Sequence, residues 1–358
     1  MCISRKNNAF PAEKIGCSPT THLCGVALMK TIAILGVVTI HTVSAGYGSP
    51  VLSFEWTSAV LIRCIVGASV PLFFLCSGAL MLDPEKEMSE RRLFTKSLPR
   101  LLIALMVWAT FYKLMDLVIA GTYSVGDLIF GAKEVLLFKH KFHLYFLHIM
   151  LLVYLWLPIT RLVVAHASKH NLQYLLGIWF VFGIVYPTLR VFWPFTLLTG
   201  IPVQWLMNMT YAAIGYTVLG YYLKTYPIPL RGALVCLILG FLVVFGGTSF
   251  QSVQKGSLAT QLFEGMSLGI AILTIGIAGV CFRKDGIGRS RVAIELSKAS
   301  FCIYLVHVFF MAVFEWLGIR LFFPNLLSVP LLVVLNVALS YLTYVVLHKI
   351  PILRDWII

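Results

Sequence analysis

The sequence has 358 residues, of which 59% are hydrophobic and 12% are charged, and its mean hydropathy is +0.91. Soluble domains have roughly twice that share of charged residues, so the composition excludes an ordinary soluble protein. The apolar runs are too long for barrel strands, and we therefore predict an all-α, polytopic integral membrane helix bundle. The net charge of +14 lies mostly in loops, where membrane lipid is the expected partner and nucleic acid is not.

Apolar runs of about 20 residues, the length that spans a bilayer, recur along a transmembrane domain that we place at 26–348. A polar N-terminal tail over 1–25 and a C-terminal tail over 349–358 flank it. The N-terminal tail lacks the pattern of a cleavable signal peptide, so we expect the first span to be an uncleaved anchor. About ten spans are predicted in chain order, at approximately 26–45, 58–82, 101–120, 142–160, 172–189, 206–223, 232–250, 264–282, 299–319 and 328–348.

Lysine and arginine are distributed unevenly between the two sets of alternating loops. They are several-fold more frequent in the tails and in loops such as 83–100 and 283–298 than in the loops of the other side. Because cytoplasmic loops carry the excess of positive charge, we predict a multi-pass protein of the cell inner membrane with both termini in the cytoplasm.

The first span carries an ionisable residue at each end of an otherwise uncharged run. Lys30 and His41 are eleven residues apart, which is about 20° past three helical turns and about 16 Å along the axis. They therefore share one face, with Lys30 at the cytoplasmic end and His41 deeper in the membrane. Alone, Lys30 is most simply a positive-inside anchor and His41 a hydrogen-bonded packing residue. An ionisable group inside a span is nevertheless a functional candidate, and this face suits a long ligand with a phosphate at one end and a reactive group at the other.

Other ionisable residues fall in the outer halves of their spans. They are Arg63 in span two, Lys113 and Asp116 in span three, His143 and His148 in span four, and His307 and Glu315 in span nine. Lys113 and Asp116 are three residues apart and are expected to neutralise each other. The remaining groups predict a polar cavity that opens outward. Cys17, His22 and Cys24 match no standard zinc spacing, so no metal is expected.

Four stretches of the chain resemble motifs of the membrane acyltransferase-3 family. Lys30 and His41 resemble its R/K-x10-H signature. The other matches are SVPLFFLCSG at 69–78, HLYFL at 143–147 followed by YLWLP at 154–158, and SFCIYLVH at 300–307. They resemble the family's VPLFF-x-x-SG, H-L-W-F…Y-L-x-x-P and S-x-x-I-Y-x-x-H stretches in the same order. The similarity is closest to the branch that contains the O-acetyltransferase of enterobacterial common antigen.

The chain departs from the family pattern at three places. Ala27, Lys30 and Thr31 stand where the family usually has Asp-x-x-Arg-Gly. Lysine lacks the bidentate geometry that arginine offers a phosphate. Gly67 replaces an arginine that often precedes VPLFF, and Arg63, one turn earlier, is the candidate substitute. Met150 and Leu151 occupy the place of a glutamate in the fourth-span motif of the O-antigen branch.

The resemblance implies an O-acyltransferase that moves an acyl group, most simply acetyl from cytosolic acetyl-CoA, to a hydroxyl of a cell-surface glycan or lipid-linked saccharide. His41 is the expected general base, Lys30 the donor-phosphate ligand, and Arg63 an oxyanion or donor ligand. His143 is expected to orient groups or shuttle protons. Tyr145, His148 and Glu315 are candidate acceptor ligands, His307 is expected to be structural, and Ser77-Gly78 to permit close helix packing.

Two other classes of protein fit the same composition. A transporter or flippase for a glycan or small anion would show inverted repeats and paired broken helices. No convincing internal symmetry is visible in the sequence. A scaffold protein would not need histidine and arginine within its spans.

Overall fold

The computed structural model describes residues 19–121, 123–283, 290–322 and 324–358. Over these ranges the chain forms helices and no strands, which confirms the predicted all-α membrane bundle. The predicted N-terminal tail lies outside the described residues as far as residue 18, and so does Cys17. Six residues of the loop predicted at 283–298, namely 284–289, also lie outside them.

Fifteen α-helices are described, joined by connections that range from single turns to the stretch 190–208. They are α1 Pro19–Val43, α2 Phe54–Ile65, α3 Ser69–Met81, α4 Glu90–Arg92, α5 Leu98–Ala120, α6 Val125–Leu136, α7 Tyr145–His166, α8 Lys169–Trp179, α9 Tyr186–Leu189, α10 Met209–Thr225, α11 Leu230–Lys255, α12 Leu268–Cys281, α13 Arg291–Trp316, α14 Asn325–Leu347 and α15 Pro351–Trp356.

Within the described residues, nine helical stretches are long and apolar enough to cross a membrane. They are Cys24–Gly48, Phe54–Met81, Glu90–Ala120, Phe142–His166, Lys169–Leu189, Leu230–Lys255, Gln261–Cys281, Arg291–Trp316 and Asn325–Leu347. Each covers one of the predicted spans. The remaining predicted span, 206–223, coincides with α10, whose 17 residues lie at the lower limit of spanning length.

The second span is broken in the middle. The predicted single helix over 58–82 is two helices, α2 and α3, with a turn at 66–68 between them. Gly67 N–H donates to Cys64 O at 3.3 Å, and Ser69 N–H donates to Val66 O at 3.2 Å. Pro71 explains the break, because in a continuous helix its ring would collide with the carbonyl of Gly67 and no N–H could bond it.

α3 packs against α10 with almost no space between the two backbones. A Cβ at Gly78 would lie 1.8 Å from Thr217 O, and a Cβ at Gly220 would lie 2.0 Å from Leu75 O. Small residues at such a crossing let helices approach closely in a membrane. The expected packing role of Gly78 is therefore confirmed. α1 in turn packs against α3, α13 and α14, so Lys30 and His41 lie on a helix that is surrounded by other helices.

The prediction that Lys113 and Asp116 neutralise each other is wrong. Lys113 Nζ lies 2.5 Å from Glu134 Oε2, and Lys141 Nζ lies 2.6 Å from Asp116 Oδ1. Glu134 belongs to α6, which occupies a stretch expected to be a loop. A capping box starts α6, in which Ser124 and Asp127 exchange hydrogen bonds. Lys113 and Asp116 thus each have a partner from the segment that follows α5.

The segment predicted as a C-terminal tail is ordered against α5. It contains α15, and Trp108 Nε1 donates to Ile357 O at 3.3 Å. Arg100 Nη2 donates to Arg354 O at 3.3 Å and also to Ile358 O. Ile358 is only 6% exposed. These contacts fix the side chain of Arg100 near the start of α5, close to the end of the bundle where Lys30 lies.

Candidate active site

Three histidines from different elements meet at the centre of the bundle. His41 comes from α1, His143 from the turn before α7, and His307 from α13. The ring centroids of His41 and His307 are 5.3 Å apart in a stacked arrangement, and those of His143 and His307 are 5.4 Å apart. His143 and His307 are buried, whereas His41 is half-buried. We refer to these three residues as the histidine cluster.

The backbone of α13 fixes the proton on His307. Its Nδ1 lies 2.7 Å from Tyr304 O and 3.2 Å from Ile303 O. A carbonyl oxygen can only accept, so Nδ1 carries the hydrogen and Nε2 of the neutral ring keeps its lone pair. Among the described residues Nε2 is buried without a hydrogen-bond partner. His307 is therefore held rigidly under the ring of His41, which fits the packing role expected for it.

Two tyrosines support the histidine cluster. The Tyr304 hydroxyl donates to His143 O. The Tyr112 hydroxyl donates to Leu305 O at 2.6 Å, and its ring meets the ring of His143 edge-on at 4.9 Å. These contacts tie α5, α13 and the turn before α7 together around His143.

Arg63 lies beside the break in the second span. Its Nη2 donates to Phe263 O at 2.7 Å, and its guanidinium stands 5.0 Å from the centre of the Phe263 ring. Nη1 is buried without a hydrogen-bond partner in the described part of the chain. A Cβ at Gly67 would come within 3.2 Å of Nη1. The guanidinium thus occupies the space beside Gly67, and the N–H groups of its Nη1 are available to a ligand.

A cavity of about 210 Å³ joins Arg63 to the histidine cluster. We call it the histidine cavity. His41, Arg63, His143 and Tyr145 contribute its polar groups, together with Glu264. Its other walls are mainly apolar or aromatic and include Val37, Ile40, Val70, Pro71, Phe73, Phe74, Phe146, Met209, Phe263, Met266 and Tyr304.

A second cavity, of about 390 Å³, lies beside α1 at Lys30, on the N-terminal side of His41. We call it the lysine cavity. Lys30 and Arg100 give it two cationic side chains, and Ser77, Ser97 and Ser300 add hydroxyl groups. Two cations and several donors in one recess suit an anionic ligand such as a phosphate.

The histidine and lysine cavities share three wall residues. Phe73, Phe146 and Tyr304 line both. The two cavities are therefore neighbours along α1, separated by the rings of these three side chains. Lys30 faces one cavity and His41 the other, in agreement with their predicted placement on a single helix face.

His41 also lines a third cavity, of about 750 Å³, which we call the glutamate cavity. Its polar lining comes from Glu315, Arg320, Lys141, Thr42 and Ser44, and Phe142 and Phe314 add aromatic surface. The half-buried imidazole of His41 thus stands between the histidine cavity and this larger one.

The structure brings most of the predicted site residues to these cavities. Lys30, His41, Arg63, His143, Tyr145 and Glu315 all line at least one of them. His148 lies elsewhere, with its Nε2 3.1 Å from His140 Nδ1 and its ring against Phe138. Its assignment as an acceptor ligand stays a prediction that the geometry does not support.

Sequence analysis missed several residues of these cavities. Tyr304 lies within the late motif that ends at His307, so the motif marked the segment but not the role of the tyrosine. No sequence pattern marks Arg100 as a site residue, because it resembles any cytoplasmic arginine at the boundary of a span. Glu264 opens the predicted eighth span, and this position alone gives it no specific role. Only the packing of the helices shows that these side chains reach the site.

The fold and site together define a class of protein, namely a polytopic membrane helix bundle with a histidine-arginine site between cavities at its two ends. A family model described as an acyltransferase domain matches residues 25–345, so the chain belongs to the acyltransferase-3 family of membrane acyltransferases. Searches of curated proteins and of solved structures found no match to this chain.

Proposed function

We propose that the protein is an O-acyltransferase of the cell inner membrane. It moves a short acyl group, acetyl in the simplest case, from cytosolic acyl-CoA to a hydroxyl of a cell-surface glycan or lipid-linked saccharide. The resemblance of the chain to the branch that contains the O-acetyltransferase of enterobacterial common antigen supports acetyl as the group and a saccharide as the acceptor. The excess of positive charge in one set of loops supports cytoplasmic termini, which puts the Lys30 end of the bundle at the cytoplasm.

One observation carries this proposal: Lys30 and His41 line two neighbouring cavities on one helix. About 16 Å separates the two residues along the helix axis. A donor with anionic phosphates and a long neutral arm ending in a thioester spans such a distance. Arg100, held by backbone carbonyls of the C-terminal segment, joins Lys30 as a ligand for the phosphates.

The chemistry at the other end needs a base and a group that stabilises negative charge. The acceptor oxygen attacks the thioester carbonyl while His41 takes the hydroxyl proton. A carbon–oxygen bond forms, and the oxyanion that develops faces the unpaired Nη1 of Arg63. The carbon–sulfur bond then breaks, and His41 returns the proton to the departing thiolate. The products are the acyl ester and the CoA thiol.

The acceptor approaches from the glutamate cavity. Its volume of about 750 Å³ is in the range of pockets that hold small organic ligands. Glu315 and Arg320 offer an acceptor and a donor for sugar hydroxyls, and Phe142 and Phe314 offer apolar surface for a ring face. His41 borders this cavity, so a hydroxyl bound there meets the imidazole directly.

Transport is the second candidate function. The break between α2 and α3 is the kind of discontinuous helix that transporters use at a binding site. A transporter or flippase would move the saccharide or anion unchanged. Acyl transfer would instead leave a base-labile ester on the acceptor.

The test is transfer of label from radiolabelled acetyl-CoA to candidate glycolipids in reconstituted vesicles. In the His41→Gln variant we expect the rate to fall by about 10²- to 10⁴-fold, because an amide cannot take up the proton. Binding of the donor should persist, since Lys30 and Arg100 are unchanged. His166→Gln is the matched control, because His166 is exposed at the end of α7.

Two results would contradict the proposal. Near-wild-type transfer by His41→Gln would exclude a base at this position. Movement of unmodified glycolipid across the vesicle membrane, without ester formation, would favour transport.

A further inference from the structure

Three aromatic rings lie between the histidine and lysine cavities, on the path that the donor arm takes to His41. We infer that Phe73, Phe146 and Tyr304, which we call the partition, set the length of the acyl group that the protein transfers. This inference rests on the proposed function, because it assigns to the partition the selection of one CoA thioester over another.

The partition is a packed cluster rather than an open channel. The ring centroid of Phe146 lies 5.7 Å from that of Phe73 and 5.4 Å from that of Tyr304. Phe74 backs Phe146 at 5.1 Å. Such spacings are typical of aromatic side chains in contact. The arm of the donor therefore reaches His41 only when these rings move apart.

The three rings differ in how firmly they are held. Tyr304 is 5% exposed, and its hydroxyl donates to His143 O. Phe146 is 9% exposed and packs on both phenylalanines of α3. Phe73 is only half-buried. Phe73 is therefore the ring with the most space to turn, and Tyr304, held by its hydrogen bond, is the most firmly fixed.

Beyond the partition, little room is left for the acyl group. The histidine cavity measures about 210 Å³, and it has to hold the thioester and the acceptor hydroxyl as well as the acyl group. Val37, Ile40, Val70 and Pro71 line it with aliphatic groups. A two-carbon acyl group fits beside His41 and Arg63. A longer chain presses back on Phe73 and Phe146, because these residues line the same cavity.

Removing a partition ring opens one cavity into the other. The volume that the ring occupied then becomes available next to the thioester. One methylene too many in a closed apolar pocket typically costs about 10- to 200-fold in kcat/KM. Most of that penalty should vanish when a ring is replaced by a methyl group, while Lys30, Arg63 and His41 keep their places.

The experiment measures selectivity with the full-length protein in vesicles that contain an acceptor glycolipid. Acetyl-CoA and butyryl-CoA compete, and the ratio of their kcat/KM values is recorded. We expect the wild type to favour acetyl by about 100-fold or more. Phe73→Ala and Phe146→Ala should each lower the ratio at least roughly ten-fold. Because both substrates meet the same protein sample, the ratio does not depend on the fraction that is folded.

Two further variants sharpen the result. Phe146→Leu keeps an apolar contact, and its ratio should lie between those of the wild type and Phe146→Ala. Phe241→Ala is the matched control, since Phe241 stacks on Phe245 within α11 at 5.6 Å and belongs to neither cavity wall. Its ratio should equal that of the wild type.

The possible failures are distinct. If the partition variants lose rate but keep the wild-type ratio, the partition does not select the acyl group, and the inference is overturned while the proposed function stands. If the wild type transfers no acyl group from any CoA thioester, the proposed function fails and the inference fails with it.

Discussion

Arg63 reaches the site through a space that one missing side chain provides. A Cβ at Gly67 would lie 3.2 Å from Arg63 Nη1 and 2.3 Å from Ile270 Cδ1. The family arginine expected at position 67 and the arginine present at position 63 would therefore compete for one volume. We therefore expect an arginine at position 67 to bring its guanidinium to the place that the Arg63 guanidinium occupies, although the two residues lie one turn apart.

This shared position predicts that removing Arg63 lowers acyl transfer and that an arginine at position 67 restores part of it. Arg63→Ala should lower acyl transfer by about 10²- to 10³-fold, because an oxyanion donor is removed. Adding Gly67→Arg to the same protein should recover at least roughly ten-fold of that loss. Label transfer from acetyl-CoA to the glycolipid measures both variants. Ile270 has to rotate away from the new side chain, so Gly67→Arg alone serves as the control for packing. A double variant no better than Arg63→Ala would refute the shared position.

Sequence analysis identified site residues where charge was out of place. Lys30, His41 and Arg63 stood out because an ionisable group in an apolar span is costly and needs a reason. The partners of Lys113 and Asp116 could not be inferred in the same way. They come from the segment 134–141, and no local pattern tells which distant charge packs against a given helix. Arg100 escaped notice for the related reason that its contacts are made by the folded C-terminal segment.

At the scale of elements, the crossing of α3 and α10 is the tightest contact that bears on the site. Gly78 and Gly220 each face a backbone carbonyl of the other helix. A Cβ on either glycine would lie closer to that carbonyl oxygen than real Cβ atoms ever do. α3 also carries Phe73, and it begins directly after the turn at 66–68 that lies beside Arg63. A shift of α3 away from α10 would therefore move both the partition and the anion-stabilising side of the site.

The glycine contact predicts a large and specific loss of stability. Gly78→Ala and Gly220→Ala should each lower the free energy of unfolding by about 1–3 kcal/mol, the usual cost of overpacking. Gly246→Ala is the control, because it lies in α11 with no atom within 4 Å of its Cβ position. There alanine should be neutral or stabilise by up to about 1 kcal/mol. Thermal unfolding in detergent compares the three variants. Equal midpoints for Gly78→Ala and Gly246→Ala would argue against the contact.

The spans were predictable because a run of about 20 apolar residues has few other uses. Their interior detail was less so. Hydropathy passes smoothly through 58–82, yet Pro71 and Gly67 divide the helix there. α6 was missed because its 12 residues are too short to span a bilayer. Both features depend on single residues rather than on average hydropathy.

At the scale of the whole molecule, the positions of the cavities predict how the protein is oriented in the membrane. The lysine cavity lies beside Lys30, in the middle of α1, and the glutamate cavity lies at the C-terminal end of α1, around His41 and Thr42. The proposed reaction needs the lysine cavity on the side of the cytoplasm, where acyl-CoA is made. The bias of lysine and arginine among the loops points the same way.

Cysteine labelling checks this orientation. Glu87 and Lys255 are both exposed and lie at opposite ends of the bundle. An impermeant maleimide added to intact cells, with the outer membrane opened, should label Lys255→Cys and spare Glu87→Cys. Permeabilising the inner membrane should then label both. The unmodified protein sets the background from the native cysteines. The reverse pattern would place the Lys30 end outside and remove the access of cytosolic donor.

The partition also bears on where the membrane potential falls. The lysine cavity adjoins it on one side and the histidine cavity on the other, so if water fills both cavities, most of the voltage drops across a few rings rather than across the whole bilayer. If His41 hands its proton directly to the thiolate, the thiol withdraws uncharged and turnover is independent of voltage. If the thiolate withdraws as an anion and the proton leaves outward, one charge crosses, at about 2.3 kcal/mol per 100 mV. The return of the proton proposed above therefore predicts equal rates in vesicles with and without an imposed, inside-negative potassium potential.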